Sequence, residues 1–121
     1  DFREASGERA ARELMAAGAL PDAVFAANDM MALGCLLAFN AAGRSVPGDV
    51  ALAGFDDVPL ARHVPPGLTT MGVDIAALGA DAMRRLLAPA DQPEAGGNGL
   101  RVPGLVVRGS TGGARASPES S

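Results

Sequence analysis

The chain has 121 residues, room for about one domain whose core buries roughly two thirds of the unfolded surface. With 48% hydrophobic and 20% charged residues it has the makeup of a folding chain, not of a disordered one. Ten basic residues, all Arg, against fourteen acidic ones leave a charge of −4, and an acidic chain without a Lys/Arg cluster makes a poor nucleic-acid or anionic-membrane surface on its own.

The opening Asp1-Phe2-Arg3-Glu4 has the look of neither a signal peptide nor an initiation site, so the chain reads as a fragment. Ser6 is placed to cap a helix running to about Ala17, with Ala11, Leu14 and Met15 on its buried face and Gly18 at the left-handed position after it. After the turn at Leu20-Pro21-Asp22, the run Ala23-Val24-Phe25-Ala26-Ala27 predicts a strand covered on both faces. Asn28 is placed as the cap of the next helix, with Asp29 in its first turn, where a carboxylate favours the helix dipole.

That helix carries no charged or strongly polar side chain from Met30 to Phe39. Helical geometry spreads those residues around the whole cylinder. One side can lie on a sheet; the other needs a second cover, from another lobe or another chain. Gly43 ends the helix, and Val50-Ala51-Leu52-Ala53-Gly54-Phe55 predicts a second strand closed by Asp56-Asp57. Strand, helix and strand in this spacing make a right-handed βαβ unit with parallel strands.

A short helical turn over Val58 to Val64 runs into Pro65-Pro66-Gly67, and Leu68 to Val73 is extended. Asp74 caps a further helix from Ile75 to about Ala88, with Ile75, Leu78, Ala82 and Leu86 on its buried stripe and Asp81, Arg84 and Arg85 on its polar side. Pro89 to Gly99 reads as a linker, Leu100 to Arg108 as an edge strand broken at Pro103-Gly104, and Gly112 to Ser121 as a disordered tail.

In open parallel α/β sheets, ligands bind beyond the carboxyl ends of the strands. Asn28-Asp29 and Asp56-Asp57 both fall there, and adjacent strands would put them on one rim. A carboxylate can accept from vicinal hydroxyls and an amide can donate and accept, which suits a neutral polyol or a base. Each residue also has a plainer reading: Asn28 as a cap, Asp29 as a dipole partner, one of Asp56 and Asp57 as a turn cap, His63 as an ordinary surface residue, Phe2 as a terminal hydrophobe, and Cys35 as an inert buried thiol. The single cysteine excludes an intrachain disulfide, and one Cys with one His builds no zinc site. Aromatics are 3%, too few for a base-stacking platform, and no apolar run approaches the length of about 18 residues that spans a membrane. There is no nucleophile elbow, phosphate loop, G-x-G-x-x-G or His pair, and no Lys to neutralise a phosphoryl group, so neither catalytic residues nor a cofactor are expected.

The run Pro21-Asp22-Ala23-Val24-Phe25-Ala26-Ala27-Asn28-Asp29-Met30-Met31-Ala32-Leu33-Gly34 resembles the lactose/galactose-repressor (LacI/GalR) family of bacterial transcription regulators. So do Val46-Pro47-Gly48-Asp49-Val50 leading into Gly54-Phe55-Asp56-Asp57, then Pro65-Pro66-Gly67-Leu68-Thr69-Thr70, and late Leu105-Val106-Val107-Arg108-Gly109-Ser110-Thr111. Their order and spacing match from Asp1 to about Thr111.

The resemblance implies an α/β fold, the parallel-sheet lobe of a periplasmic-binding-protein type I (LacI-like) fold. The chain would be the carboxyl-terminal part of the effector-binding region of a cytoplasmic regulator. Residues 1–74 and 100–111 would form the lobe, residues 75–99 a crossover helix and loop belonging to the other lobe, and 112–121 a tail. Asn28 and Asp56 match positions that hydrogen-bond a small-molecule effector, usually a sugar and in some members a purine. Phe2 matches the aromatic that stacks on the effector ring. Leu33, Leu37 and the segment near His63 match the contact of a homodimer. Operator DNA would be reached only through an amino-terminal domain absent from this chain, and the resemblance implies neither a membrane nor a metal. Where many relatives carry a polar, often Gln-containing stretch after the Thr pair, Met71-Gly72-Val73 stands here. Two rivals share some features: a periplasmic sugar-binding protein of a transporter, and a metal-dependent phosphotransferase or hydrolase using Asp29, Asp56 and Asp57.

Overall fold

The structure is a computed structural model and describes residues 1–89 and 101–112. The apolar run after Asp22 forms strand β1 (Ala23–Phe25), and the run after Val50 forms β2 (Ala51–Ala53). They lie parallel, with Ala23 opposite Ala51 and Phe25 opposite Ala53. Parallel neighbours need a crossover, and the apolar helix α2 (Asp29–Ala41) supplies it, as the spacing predicts. Beyond β2 come α3 (Pro59–His63), β3 (Thr70–Gly72), α4 (Ile75–Leu87), β4 (Gly104–Val106) and a closing 3-10 turn at Gly109–Thr111. Parallel bridges from Ala53 to Thr69 and from Asp56 to Gly72 set β3 beside β2. β4 then pairs with β3 antiparallel, Thr70 opposite Val106. The order is β1-β2-β3-β4, the expected α/β sheet with one antiparallel strand at its edge.

The core lies between this sheet and α2. Phe39, Val50, Leu52 and Leu68 are fully buried, with Ala32 and Leu36 packed among them. The cover over the other side of α2 comes from the chain itself. Helix α1 (Glu4–Ala16) crosses α2 with glycines at the contact: a Cβ on Gly7 would overlap the Met31 carbonyl oxygen, and one on Gly34 the Glu4 carbonyl oxygen. The Cys35 thiol donates to the Gly7 carbonyl at 3.3 Å across the same contact. Thus the cover expected from another lobe or chain is largely α1, and Leu33 is buried at 5% exposure, while Leu37 stays 51% exposed.

Three further expectations need correcting. Helix α1 starts at Glu4, two residues before Ser6, with Arg3 at the cap position. Ser6 is buried inside the first turn and donates its hydroxyl to the Asp1 carboxylate, which also accepts the Arg3 N–H. Strand β1 is open on one side, with Phe25 68% exposed. The apolar stripe of α4 is uncovered too: Ile75, Leu78, Met83, Leu86 and Leu87 are all exposed and none of the helix is buried. Asp74 does cap it, accepting the Ala77 N–H at 2.9 Å. An isolated helix of 13 residues is marginal in water, and burying one Leu contributes about 1.5–3 kcal/mol, so α4 gains little from the described residues. The expected linker and tail fall on residues 90–99 and 113–121, outside the described residues.

Gly→Ala in an exposed helix interior stabilises by about 1 kcal/mol. At Gly7 the overlap with Met31 reverses the sign, and Gly7→Ala is expected to lose about 1–3 kcal/mol. A lowered urea midpoint measures it; an unchanged or raised midpoint would show that the helices cross more loosely.

Candidate functional site

Strands β1 and β2 bring both polar corners to one end of the sheet. The Ala26 N–H donates to the Ala53 carbonyl at 2.9 Å, and the Asp29 N–H to the Phe55 carbonyl at 2.8 Å. The pairs Asn28-Asp29 and Asp56-Asp57 therefore share a rim, as adjacency of the strands predicts.

Asn28 does what its position as a cap requires: its Oδ1 accepts the Met31 N–H at 2.9 Å. Its Nδ2 donates to the Phe2 carbonyl at 2.9 Å and ties the start of the chain to the rim. A primary amide has two N–H donors and two acceptor lone pairs, so one of each remains for a ligand. The cap reading and the ligand reading are compatible. Phe2 is 71% exposed and is held through its backbone beside Asn28.

Asp56 and Asp57 both adopt positive φ, 109° and 51°. Such conformations cost about 1–3 kcal/mol each for non-glycine residues and persist where the surroundings hold them. The two side chains differ in use. The Asp57 carboxylate accepts from Arg108 Nη2 at 2.7 Å, while its N–H donates to Thr70 Oγ1 at 3.3 Å. The Asp56 N–H donates to the Met71 carbonyl at 2.9 Å. Its carboxylate is exposed and takes no partner among the described residues. One Asp is structural, then, and the other is free, although the structural one pairs with an arginine instead of capping a turn.

Asp29 lies in the first turn of α2 as expected, but it is fully buried, and its bonds were not legible in the sequence. Its Oδ1 accepts the Thr70 hydroxyl at 2.6 Å and its Oδ2 the Val58 N–H at 2.9 Å. Gly54 leaves it room, since a Cβ there would overlap Oδ1. With Asp29 and Asp57 so committed, the acidic trio does not converge as a metal centre, and among the described residues no group of three His, Cys, Asp or Glu could hold one.

Sequence reasoning also missed the anchoring chemistry of the run Arg108-Gly109-Ser110-Thr111. Ser110 is fully buried, donates to the Leu52 carbonyl at 2.5 Å and accepts the Thr69 N–H at 2.8 Å. Arg108 Nη1 donates to the Leu68 carbonyl at 2.9 Å. Burial pushes the Cys35 thiol up, and hydrogen bonds from Arg101 hold Asp81 on α4 below the ordinary carboxylate range.

A second feature is apolar. Leu33, Leu37, Leu60, Val64 and Glu4 line a hollow where α1, α2 and α3 meet. Leu37 and Leu60 stand about half exposed, and Leu33 is buried. His63 is exposed in the last turn of α3 but does not line the hollow.

The family model for a periplasmic binding protein-like domain matches residues 1–111. The lactose operon repressor of Rhizobium radiobacter is 44% identical over 68 residues, 56% of this chain and 60% of that protein. Among solved structures, the lac repressor dimer bound to operator and the anti-inducer ONPF superposes with a TM-score of 0.84 at 33% identity, over 92% of this chain and 34% of that one. A LacI family transcriptional regulator from Arthrobacter sp. FB24, in complex with lactose, superposes at 0.75 with 33% identity, over 90% of this chain and 41% of that one. The chain thus spans between about a third and three fifths of these relatives' lengths.

Asp29→Ala would strand the Thr70 hydroxyl and the Val58 N–H. Leaving a buried donor unpaired costs about 1–3 kcal/mol, so a loss of at least about 2 kcal/mol in denaturant unfolding is expected; a loss under about 0.5 kcal/mol, the range of a neutral surface change, would refute the bridging role.

Proposed function

This chain belongs to the periplasmic binding protein-like domain family, and from that premise we propose that it is the carboxyl-terminal lobe of the effector-binding region of a cytoplasmic LacI-family transcription regulator. Its named relatives are transcription regulators, not enzymes. The observation that carries the reading is the common rim, where Asn28 keeps one donor and one acceptor and the Asp56 carboxylate is free among the described residues. Charged and amide acceptors beside an exposed aromatic ring suit a sugar: hydroxyls donate to Asp56, Asn28 donates and accepts, and the apolar face of a pyranose lies on Phe2.

Residues 75–99 are assigned to the crossover into a second lobe. The uncovered apolar stripe of α4 supports this, because it supplies a face that such a lobe would bury. An effector bridging two lobes favours one relative orientation, and a dimer would pass that bias to DNA-binding domains outside this chain. Leu37 and Leu60, with Leu33 beneath them and His63 alongside, form the surface assigned to the homodimer. The dimeric state of the lac repressor structure is in keeping with it.

Two measurements on the full-length gene product test these assignments. Hydrogen bonds to a charged acceptor contribute about 1.5–3 kcal/mol, so Asp56→Asn is expected to weaken lactose binding roughly 10- to 100-fold in calorimetry without lowering the melting temperature; wild-type affinity in the variant would remove Asp56 from the site. Leu37→Arg places a charge at the assigned interface while sparing the core, so sedimentation should report monomers. A mass that stays dimeric would assign the hollow to something else.

A further inference from the structure

We infer that Arg108 is a positioning residue for the effector site: it clamps Asp57 in the left-handed corner and so aims the Asp56 carboxylate at the rim. The inference rests on the effector reading above. Two consecutive non-glycine residues at positive φ do not hold that shape unaided. Arg108 lies 51 residues beyond Asp57 and its guanidinium forks across two segments, Nη2 to the Asp57 carboxylate at 2.7 Å and Nη1 to the Leu68 carbonyl at 2.9 Å. Both members of the ion pair are largely shielded, at 18% and 21% side-chain exposure, where such a bond is worth more than at an open surface. Arg62 approaches Asp57 only to 3.9 Å and is 55% exposed, so it adds little.

The Asp56 side chain makes no bond of its own among the described residues, so its direction is inherited from the backbone corner. That corner is fixed at Asp56 N–H by Met71, at Asp57 N–H by Thr70 and at the Asp57 carboxylate by Arg108. Of these, only Arg108 also neutralises Asp57, leaving Asp56 without an adjacent uncompensated carboxylate. The fork matters as much as the charge, since an ammonium would reach one of the two acceptors and not both in that planar geometry.

The test uses the full-length gene product with Arg108→Met, Arg108→Lys, Asp57→Gly and the double variant Arg108→Met/Asp57→Gly. Hydrogen exchange at the Asp56 and Asp57 amides and lactose calorimetry are read on each. Arg108→Met is expected to speed exchange at these amides and weaken lactose binding, each about tenfold, with the α1 and α2 amides still protected. Arg108→Lys should restore part of both. Because the two residues act through each other, adding Arg108→Met to Asp57→Gly should cause no further loss. Wild-type exchange in Arg108→Met, or losses that add in the double variant, would overturn the clamp. Should Arg108→Met fail to fold, Asp57→Asn removes the same charge pair and is read in the same way. If lactose does not bind the parent protein, the effector reading falls on its own, and the exchange measurement alone upholds or overturns the clamp.

Discussion

The rim depends on one buried carboxylate. Asp29 sits where β1 turns into α2 and accepts from Val58 after β2 and from Thr70 on β3, so three segments distant in sequence meet on two oxygens. An ionised carboxylate is costly to bury without partners. Here two donors and the positive end of α2 offset that cost, and Gly54 yields the space. The consequence is geometric: Asn28 and Asp56 flank residues that Asp29 and its own N–H bind together, and neither can drift from the other without breaking those bonds.

The rest of the chain divides into surface that is satisfied and surface that is not. Between α1 and α2 the fit is close enough for backbone to touch backbone at Gly7 and Gly34, and the sheet buries Val50, Leu52 and Leu68. By contrast the flank of β1 at Phe25 and the whole stripe of α4 stand exposed. A chain stabilised by its own contacts alone rarely leaves so much apolar area uncovered. Under the two-lobed reading, those are the faces that the remaining polypeptide would occupy.

Much of this was legible in the sequence, and the limits have physical causes. Periodicity and turn residues placed β1, α2, β2 and α4 because those signals are local. Asn28 as a cap followed from its place before an apolar helix, and the shared rim followed from strands that neighbour each other. The unread features were the long-range ones. Nothing near Asp29 announces Thr70, and nothing near Asp57 announces Arg108, since hydrogen-bond partners 41 and 51 residues away leave no spacing rule. Ser6 misled because a good capping residue in the first turn is also a good buried donor, and here it serves the Asp1 carboxylate. The all-apolar character of α2 correctly demanded two covers but could not say that one was α1, whose small residues at the crossing carry no hydrophobic signal.

The hydroxyl of Ser110 has a bearing on how the molecule is made. It satisfies the Leu52 carbonyl from 58 residues downstream, at the heart of the sheet. During synthesis from the amino terminus, β2 leaves the ribosome long before its partner does, and at typical elongation rates of about 5–20 residues per second the nascent sheet waits several seconds with that acceptor open. Completion of this sheet therefore waits for Ser110 to follow, and a chain that stops short of it would leave the Leu52 carbonyl without that donor.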